Sequence, residues 1–383
     1  MNPDLRSVNR LTALFLLFAA CSFCYGRIDG MIIKTTDSSY EDRWHKTLGE
    51  NVPRIAGTDK IFKGQKLFIG VAVQNYELDN RQTAHVTYNL KITGMNGKVI
   101  LEKKDSKAIT SAGLNPDFVQ LSEEFSTLTL KNNDAFGRYQ ISIHLFDQLN
   151  GSTKQLETTV HLVPLPDVRT IGLTAEENYW QWKNNYYNKK EPEKALSYFV
   201  FFTQSELPQK RSELLSAIAF FRTIFRENRI LLTEFKDAYT ESDEETRFLL
   251  ALLLYHSTNE DSFSRYMNDS ALLEQVQQTK IPLPDQEITQ AEQIEMLWSE
   301  FSASGRQEPV SKIISVLDRN QNGKVKSDKK TGEALFQAAR ESLKERLPNE
   351  PLALGYAQWI LANGNLSGKA KRELTRILKQ ASR

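Results

Sequence analysis

Cysteine is nearly absent from this 383-residue chain: there are two, Cys21 and Cys24, and both lie within the first 26 residues. No disulfide framework can hold the body of the protein, and a chain this long needs none, because it buries ample apolar surface. An excess of either charge is missing too, since 49 Lys and Arg face 48 Asp and Glu. No global field would draw such a chain to nucleic acid. Histidine is scarce. His45, His85, His144, His161 and His256 are scattered, with no His-Glu-x-x-His pair and no zinc-ligand spacing. A Gly-x-Ser-x-Gly elbow and a Walker loop are also missing. The pattern therefore names no catalytic residue and implies no metal and no cofactor.

What is present first is an export leader. Arg6 and Arg10 precede an uncharged, mostly apolar run from Leu11 to Cys24, closed by Tyr25 and Gly26, which is a secretory pattern. That run, about 14 residues, makes a helix of roughly 21 Å, short of a bilayer core of about 30 Å. Residues 1–26 are thus expected to direct export, with the mature protein periplasmic, cell-envelope or extracellular. Two cleavage readings stand. A cut after Gly26 leaves a chain without cysteine. Alternatively, Leu17-Phe18-Ala19-Ala20-Cys21 resembles a bacterial lipobox, which implies lipidation of Cys21 as the new N-terminus; Phe18 departs from the aliphatic residue usual at its place. Either cut near Gly26 removes Arg6, Arg10 and Asp4 and leaves equal numbers of each sign.

The remainder reads as a β part followed by an α part. From Gly30 to Pro166 the apolar period is two: Leu67, Ile69, Val71 and Val73, then Val86, Tyr88, Leu90 and Ile92, then Tyr139, Ile141, Ile143 and Leu145. Asn96-Gly97 and Asn150-Gly151 sit between such runs and suit tight hairpin turns. Six to eight strands in about 135 residues predict an antiparallel β-sandwich over 27–167. The stretch Phe136-Gly137-Arg138-Tyr139, with its Gly-x-Tyr entry, resembles late strands of bacterial immunoglobulin-like domains, and the resemblance implies that fold class without an active site. From Thr174 onward the period becomes helical. Thr174-x-x-Glu177 and Ser242-x-x-Glu245 read as capping boxes, and first helices are expected near 174, 209, 243, 287, 331 and 367. Those intervals, about 34 to 44 residues, predict an all-α, repeat-like solenoid of helical hairpins over 168–383.

Four candidate sites follow. Tyr179, Trp180, Trp182, Tyr186 and Tyr187 form the densest aromatic stretch, readable as helix packing or as a groove for a partner peptide or sugar. Trp180 and Trp182, two apart on a helix, point about 200° from one another, so one of them is expected in the core. Asp318-x-Asn320-x-Asn322-Gly323 resembles the opening of a calcium loop, but Lys329 holds the position that needs a bidentate Glu, which leaves a polar connector. Glu241, Asp243, Glu244 and Glu245 suit a helix N-terminus. The last helix carries Leu374, Ile377 and Leu378 on one face and Lys369, Lys371, Arg372, Arg376 and Lys379 elsewhere, as a terminal cap or a contact for anionic lipid would.

The sequence thus predicts an exported binding protein without catalytic activity. The expected partner is a protein or peptide, with a glycan also admissible, no nucleic acid, and membrane contact only through an N-terminal lipid. The alternative is a carboxylate-dependent hydrolase of an envelope polymer or glycan.

Overall fold

The computed structural model describes residues 27–38, 40–41, 44, 57–165, 176–258, 260–318 and 329–381. The leader with Cys21 and Cys24, His45, Thr174 of the first capping box, the expected junction at 167/168 and residues 319–328 of the Asn-Gly loop lie outside the described residues. The chain combines β and α structure in two compact units, Met1–Val163 and Pro164–Arg383.

In the first unit the strands are β1 (Asp29–Thr35), β2 (Lys60–Ile61), β3 (Lys66–Gln74), β4 (Val86–Thr93), β5 (Val99–Ile109), β6 (Gln120–Leu121), β7 (Ser126–Thr129), β8 (Gly137–Asp147) and β9 (Thr153–Leu162). One sheet has β3 at its centre, paired antiparallel with β1, β6 and β7. The other runs β2-β9-β8-β4-β5, antiparallel except for β2 beside β9. Period-two apolar positions from both sheets fill one core: Leu67, Ile69, Val71 and Val73 from β3 meet Val86, Tyr88, Leu90 and Ile92 from β4 and Ile141, Ile143 and Leu145 from β8. The β4–β8 register sets Leu90 against Ile143 and Ile92 against Ile141, so the cross-strand pairs stack as contiguous apolar rows.

Turn chemistry follows the residues. Gly97 and Gly151 have φ of 74° and 72°, and the amides two residues after Asn96 and Asn150 donate to those Asn side chains at 3.0 and 2.8 Å. Asp147, buried at the end of β8, ties two connections together by accepting the amides of Glu77 and Leu149 at 2.8 and 3.0 Å. Tyr139, near the start of β8, sends its hydroxyl back to the Ala135 carbonyl at 2.7 Å. The outer face of β3 is covered as well. Gly70 lies under the Phe125 ring, which stacks on Tyr40 with ring centres 4.2 Å apart.

The second unit is helical: α1 (Glu176–Asn185), α2 (Ala195–Thr203), α3 (Arg211–Glu227), α4 (Phe235–Glu241), α5 (Glu244–Ser257), α6 (Glu260–Tyr266), α7 (Ser270–Gln278), α8 (Glu292–Ser304), α9 (Gln307–Val316), α10 (Lys329–Arg346), α11 (Pro351–Asn363) and α12 (Gly368–Ala381). The N-cap of α5 is Asp243, which accepts the Thr246 amide at 2.8 Å, and this corrects the expected Ser242–Glu245 box by one residue. The reason is a competing bond: the Ser242 hydroxyl donates to the Ala238 carbonyl of the preceding helix at 2.6 Å, so the carboxylate next in line takes the free amide. Helix α8 stops at Gly305, whose φ of 69° is the left-handed conformation that glycine adopts without a Cβ penalty. The Tyr356 hydroxyl then fixes the Gly305 carbonyl at 2.9 Å.

Helices α8 to α12 pack mostly on near neighbours in the chain, while α3 lies along α8 across the long excursion α4–α7. A charged knot reinforces this arrangement: the buried Glu227 carboxylate at the end of α3 receives Lys190 at 2.9 Å and Arg306 from the α8–α9 turn. In α12, Ala370, Leu374, Ile377 and Leu378 are buried in the core of the unit. Its apolar face is therefore occupied, and Lys371 and Arg372 face solvent. Among the described residues no helix is long and apolar enough to cross a membrane.

Candidate functional site

The aromatic stretch forms a packed layer. Tyr179 and Tyr186 have no exposed surface, Trp182 keeps 6% and Tyr187 9%. The Trp182 ring stacks on Tyr198 at 4.6 Å and meets Tyr186 and Phe220 edge-on at 5.1 and 5.5 Å. Tyr187 packs against Phe301 and donates its hydroxyl to Glu350 at 2.7 Å. Of the five proposed binding residues only Trp180 is half-exposed. In this conformation Tyr179 and Tyr186 offer a ligand no ring surface, and Trp182 and Tyr187 keep only a narrow margin of it.

Within the acidic stretch 241–245, Asp243 caps α5, and Glu241, Glu244 and Glu245 are exposed. The histidines stay apart. His85, 3.4 Å from Asp79, His144, its ring tilted against Phe146, and His161 are exposed on the β unit. Among the described residues no three His, Cys, Asp or Glu side chains come together to hold a metal ion.

A convergence that sequence reading missed is centred on Arg222 of α3. Its side chain is only 5% exposed; Nη2 reaches Asp285 Oδ2 at 2.5 Å, Nη1 lies 3.6 Å from Glu300 Oε1, and Nε donates to the His256 carbonyl at 2.8 Å. The two carboxyls respond oppositely. Burial raises Glu300 above the usual carboxylate range, only partly offset by Arg222. For Asp285 burial acts in the same direction, but the hydrogen bond and charge of Arg222, with Arg226, outweigh it and lower the pKa. Burial, and then Arg222, depress His256 from 6.5 to about 4, so its ring is neutral at pH 7. Chemically this is a clamp: one guanidinium joins α3, the end of α5, the 279–291 connection and α8. The one available signal was the charge of Arg222 inside the apolar run Ala217–Phe225; its partners, 34 to 78 positions downstream, gave no sign of convergence.

The other arrangement capable of recognition is at one end of the β unit. The β4–β8 register closes at Thr93 opposite Gln140, which carries the β4–β5 turn alongside the start of β8. Met95 in that turn lies over Gly137, where a Cβ would stand 2.3 Å from the Met95 sulfur. Gly137 also has a φ of 132°, a backbone conformation that favours glycine. Next to it, Phe136 is 46% exposed, with the Lys63 ammonium 4.2 Å from its ring centre, and Met95 is 69% exposed. Isolated apolar side chains at a surface are ordinary; a contiguous set of Met, Phe and a cation held by three connections is the kind of surface that anchors a partner.

No protein-family model matches the chain, and none of the curated proteins is similar to it. Among solved structures it is similar to a family 123 glycoside hydrolase from Clostridium perfringens, described for glycolipid glycan hydrolysis, at 14% identity over 37% of this chain and 28% of that one, with a TM-score of 0.21. The chain thus spans little more than a quarter of that enzyme. It is also similar to a family 76 glycoside hydrolase from a bovine Bacteroides thetaiotaomicron strain, at 10% identity over 83% of this chain and 76% of that one, with a TM-score of 0.17. At these TM-scores neither likeness carries a fold or an activity across.

Proposed function

We propose that this chain is an exported, non-catalytic binding protein of the cell envelope, periplasm or extracellular space, with an immunoglobulin-like sandwich over 27–167 and a solenoid-like array of helical hairpins over 168–383. The sandwich reading is supported by two sheets sharing one core and by the Tyr139 hydroxyl bonded four residues upstream, the geometry of a tyrosine corner. The array reading is supported by the near-neighbour packing of α8 to α12, with the α3–α8 pairing as a departure from simple stacking. The observation that carries the function is the surface made by Met95, Phe136 and Lys63, placed on connections at one end of the sheets, where rigid strands present loops to a partner. That partner is a protein or peptide.

The double variant Met95→Ser, Phe136→Ser tests this. Both side chains are exposed, so folding stability should change by no more than about 0.5 kcal/mol, whereas complexes of the full chain seen on native gels of the source cells should collapse to the free protein. Complexes that persist in the double variant would move the contact elsewhere. Export is tested separately by intact mass of protein from the native host: loss of residues 1–26, or loss of residues 1–20 with an acyl mass on Cys21, is expected, and retention of Met1 on cytoplasmic protein would contradict it.

A second reading, the carboxylate-dependent hydrolase of an envelope polymer, draws on Glu300 and Asp285, whose environments push their pKa values apart as in acid/base pairs. Arg222 holds both groups, which favours the clamp. Release of reducing ends from cell-wall polymers by the wild type, lost in both Glu300→Gln and Asp285→Asn, would reverse that preference.

A further inference from the structure

The end of the β unit that carries Met95 and Phe136 has a sign of charge as well as an apolar surface. Its three connections, residues 62–65, 94–98 and 130–136, hold Lys63, Lys98 and Lys131 against a single acid, Asp134. Arg138 follows, exposed at the second position of β8. Asp134 is engaged within its own turn, where its carboxylate accepts the Lys131 amide at 2.6 Å. None of the four cations is in a salt bridge among the described residues. In a chain with 49 cations and 48 acids this is a local excess of one sign. Apolar surface gathers at the same place: three of the six prominently exposed large apolar side chains among the described residues are Met95, Phe136 and Val99, the last 43% exposed at the start of β5. The connections are also held in place. The Gly64 amide donates to the Leu130 carbonyl at 2.8 Å and the Lys63 ammonium to the Asn132 carbonyl at 2.7 Å, which joins the first connection to the third. The Gly94 amide, bonded to the Lys98 carbonyl at 2.9 Å, closes the second.

We propose that the partner presents an acidic segment to this end, a stretch of Asp and Glu flanking one or two large apolar side chains. This rests on the reading of the Met95 and Phe136 surface as the contact, and adds the chemistry of what it contacts. The apolar side chains seat on Met95, Phe136 and Val99, and the carboxylates meet Lys63, Lys98, Lys131 and Arg138. Apolar contact anchors such a segment, while cations around it speed encounter with acidic surfaces and penalise basic ones. Connections already ordered by hydrogen bonds lose little freedom on contact. A second copy docked symmetrically would set the same cations against one another, which disfavours self-association. A bilayer fits less well too. The Lys63 ammonium lies over the Phe136 ring, so sinking that ring into hydrocarbon would carry a charge with it.

The test is selection of a displayed library of random peptides on the purified full-length chain, counter-selected on the Met95→Ser, Phe136→Ser variant. Clones held by the wild type and released by that variant should carry Asp and Glu about two-fold more often than the starting library, most with a Leu, Ile, Phe or Trp among them. Synthetic peptides of those sequences should lose about ten-fold in affinity between low and high salt, as screening of exposed charges requires. Selection on the triple variant Lys63→Glu, Lys98→Glu, Lys131→Glu, checked for native circular dichroism, should turn the excess to Lys and Arg; the triple Gln variant should show neither excess. Clones that are neutral or basic yet released by the double serine variant, or an acidic excess that survives the charge reversal, would overturn the acidic partner and leave the contact surface standing. A selection in which no clone separates the wild type from the double serine variant would overturn both. Flotation of the wild type, but not of the double serine variant, with phosphatidylglycerol-containing vesicles would give the surface to a membrane, and a dimer by light scattering that the same variant abolishes would give it to a second copy; either result overturns the proposal.

Discussion

Truncating Trp182 to alanine should cost the helical unit about 3 to 5 kcal/mol, the range for removing a large buried aromatic. The ring contributes contacts in several directions at once: stacked on Tyr198 and Phe221, edge-on to Tyr186 and Phe220. The surrounding rings come from α2, α3 and the turn after α1 and cannot all collapse into the space left. Trp182→Phe should recover much of the loss, because it also removes an indole N–H that is sealed without an acceptor. Trp180→Ala should cost only about 1 kcal/mol, since that ring is half-buried, with Tyr179 at 5.0 Å and the Lys183 ammonium among its contacts. Urea unfolding of the three variants checks this. Equal, small effects at 180 and 182 would contradict the packing assignment and return the stretch to the list of binding surfaces.

Replacing Arg222 by methionine should be comparably severe, about 3 to 5 kcal/mol, because it leaves the partly buried Glu300 without its cation and the His256 carbonyl without its donor. A double-mutant cycle separates the clamp from simple loss of packing. Arg222→Met in a Glu300→Gln background should cost about 1 to 3 kcal/mol less than in the wild type, because a neutral amide needs no counter-charge. The pH dependence has a definite sign. Glu300 is raised in the folded state, so its contribution is fully present below the unfolded carboxyl value and is lost as pH rises through the folded one. Without Arg222 that folded value rises further, and the single variant should regain stability on acidification relative to the variant that also carries Glu300→Gln. His256, depressed to about 4, works the other way, losing stability as pH falls from 6.5 toward 4. Comparing the two Glu300 backgrounds cancels that slope. A cycle with no coupling would make the Arg222 cluster free for catalysis.

These two cases also mark where the sequence is informative. Trp180 and Trp182 could be sorted because helical geometry alone sets them on opposite faces. The strands could be read because β3, β4 and β8 each bury alternate residues in one core. The outer face of β3 could not, since the rings over Gly70 and Phe68 come from Tyr40 and Phe125, remote in the chain. The cap of α5 was misplaced by one residue because Ser242 has a second acceptor within reach, which no spacing rule reveals. Asp285 and Glu300 join Arg222 only through the path of four intervening helices, and Met95 meets Gly137 only through the β4–β8 register.

The central claim is that the chain works by contact through the end of the β unit bearing Met95 and Phe136. A photocrosslinking phenylalanine analogue in place of Phe136, activated in the native host, tests it most directly, with the same analogue at the exposed β5 position of Lys103 as control. The account predicts a discrete protein adduct from position 136, identifiable by mass spectrometry, and none from 103. No adduct at 136, or the same adducts at both positions, would contradict it.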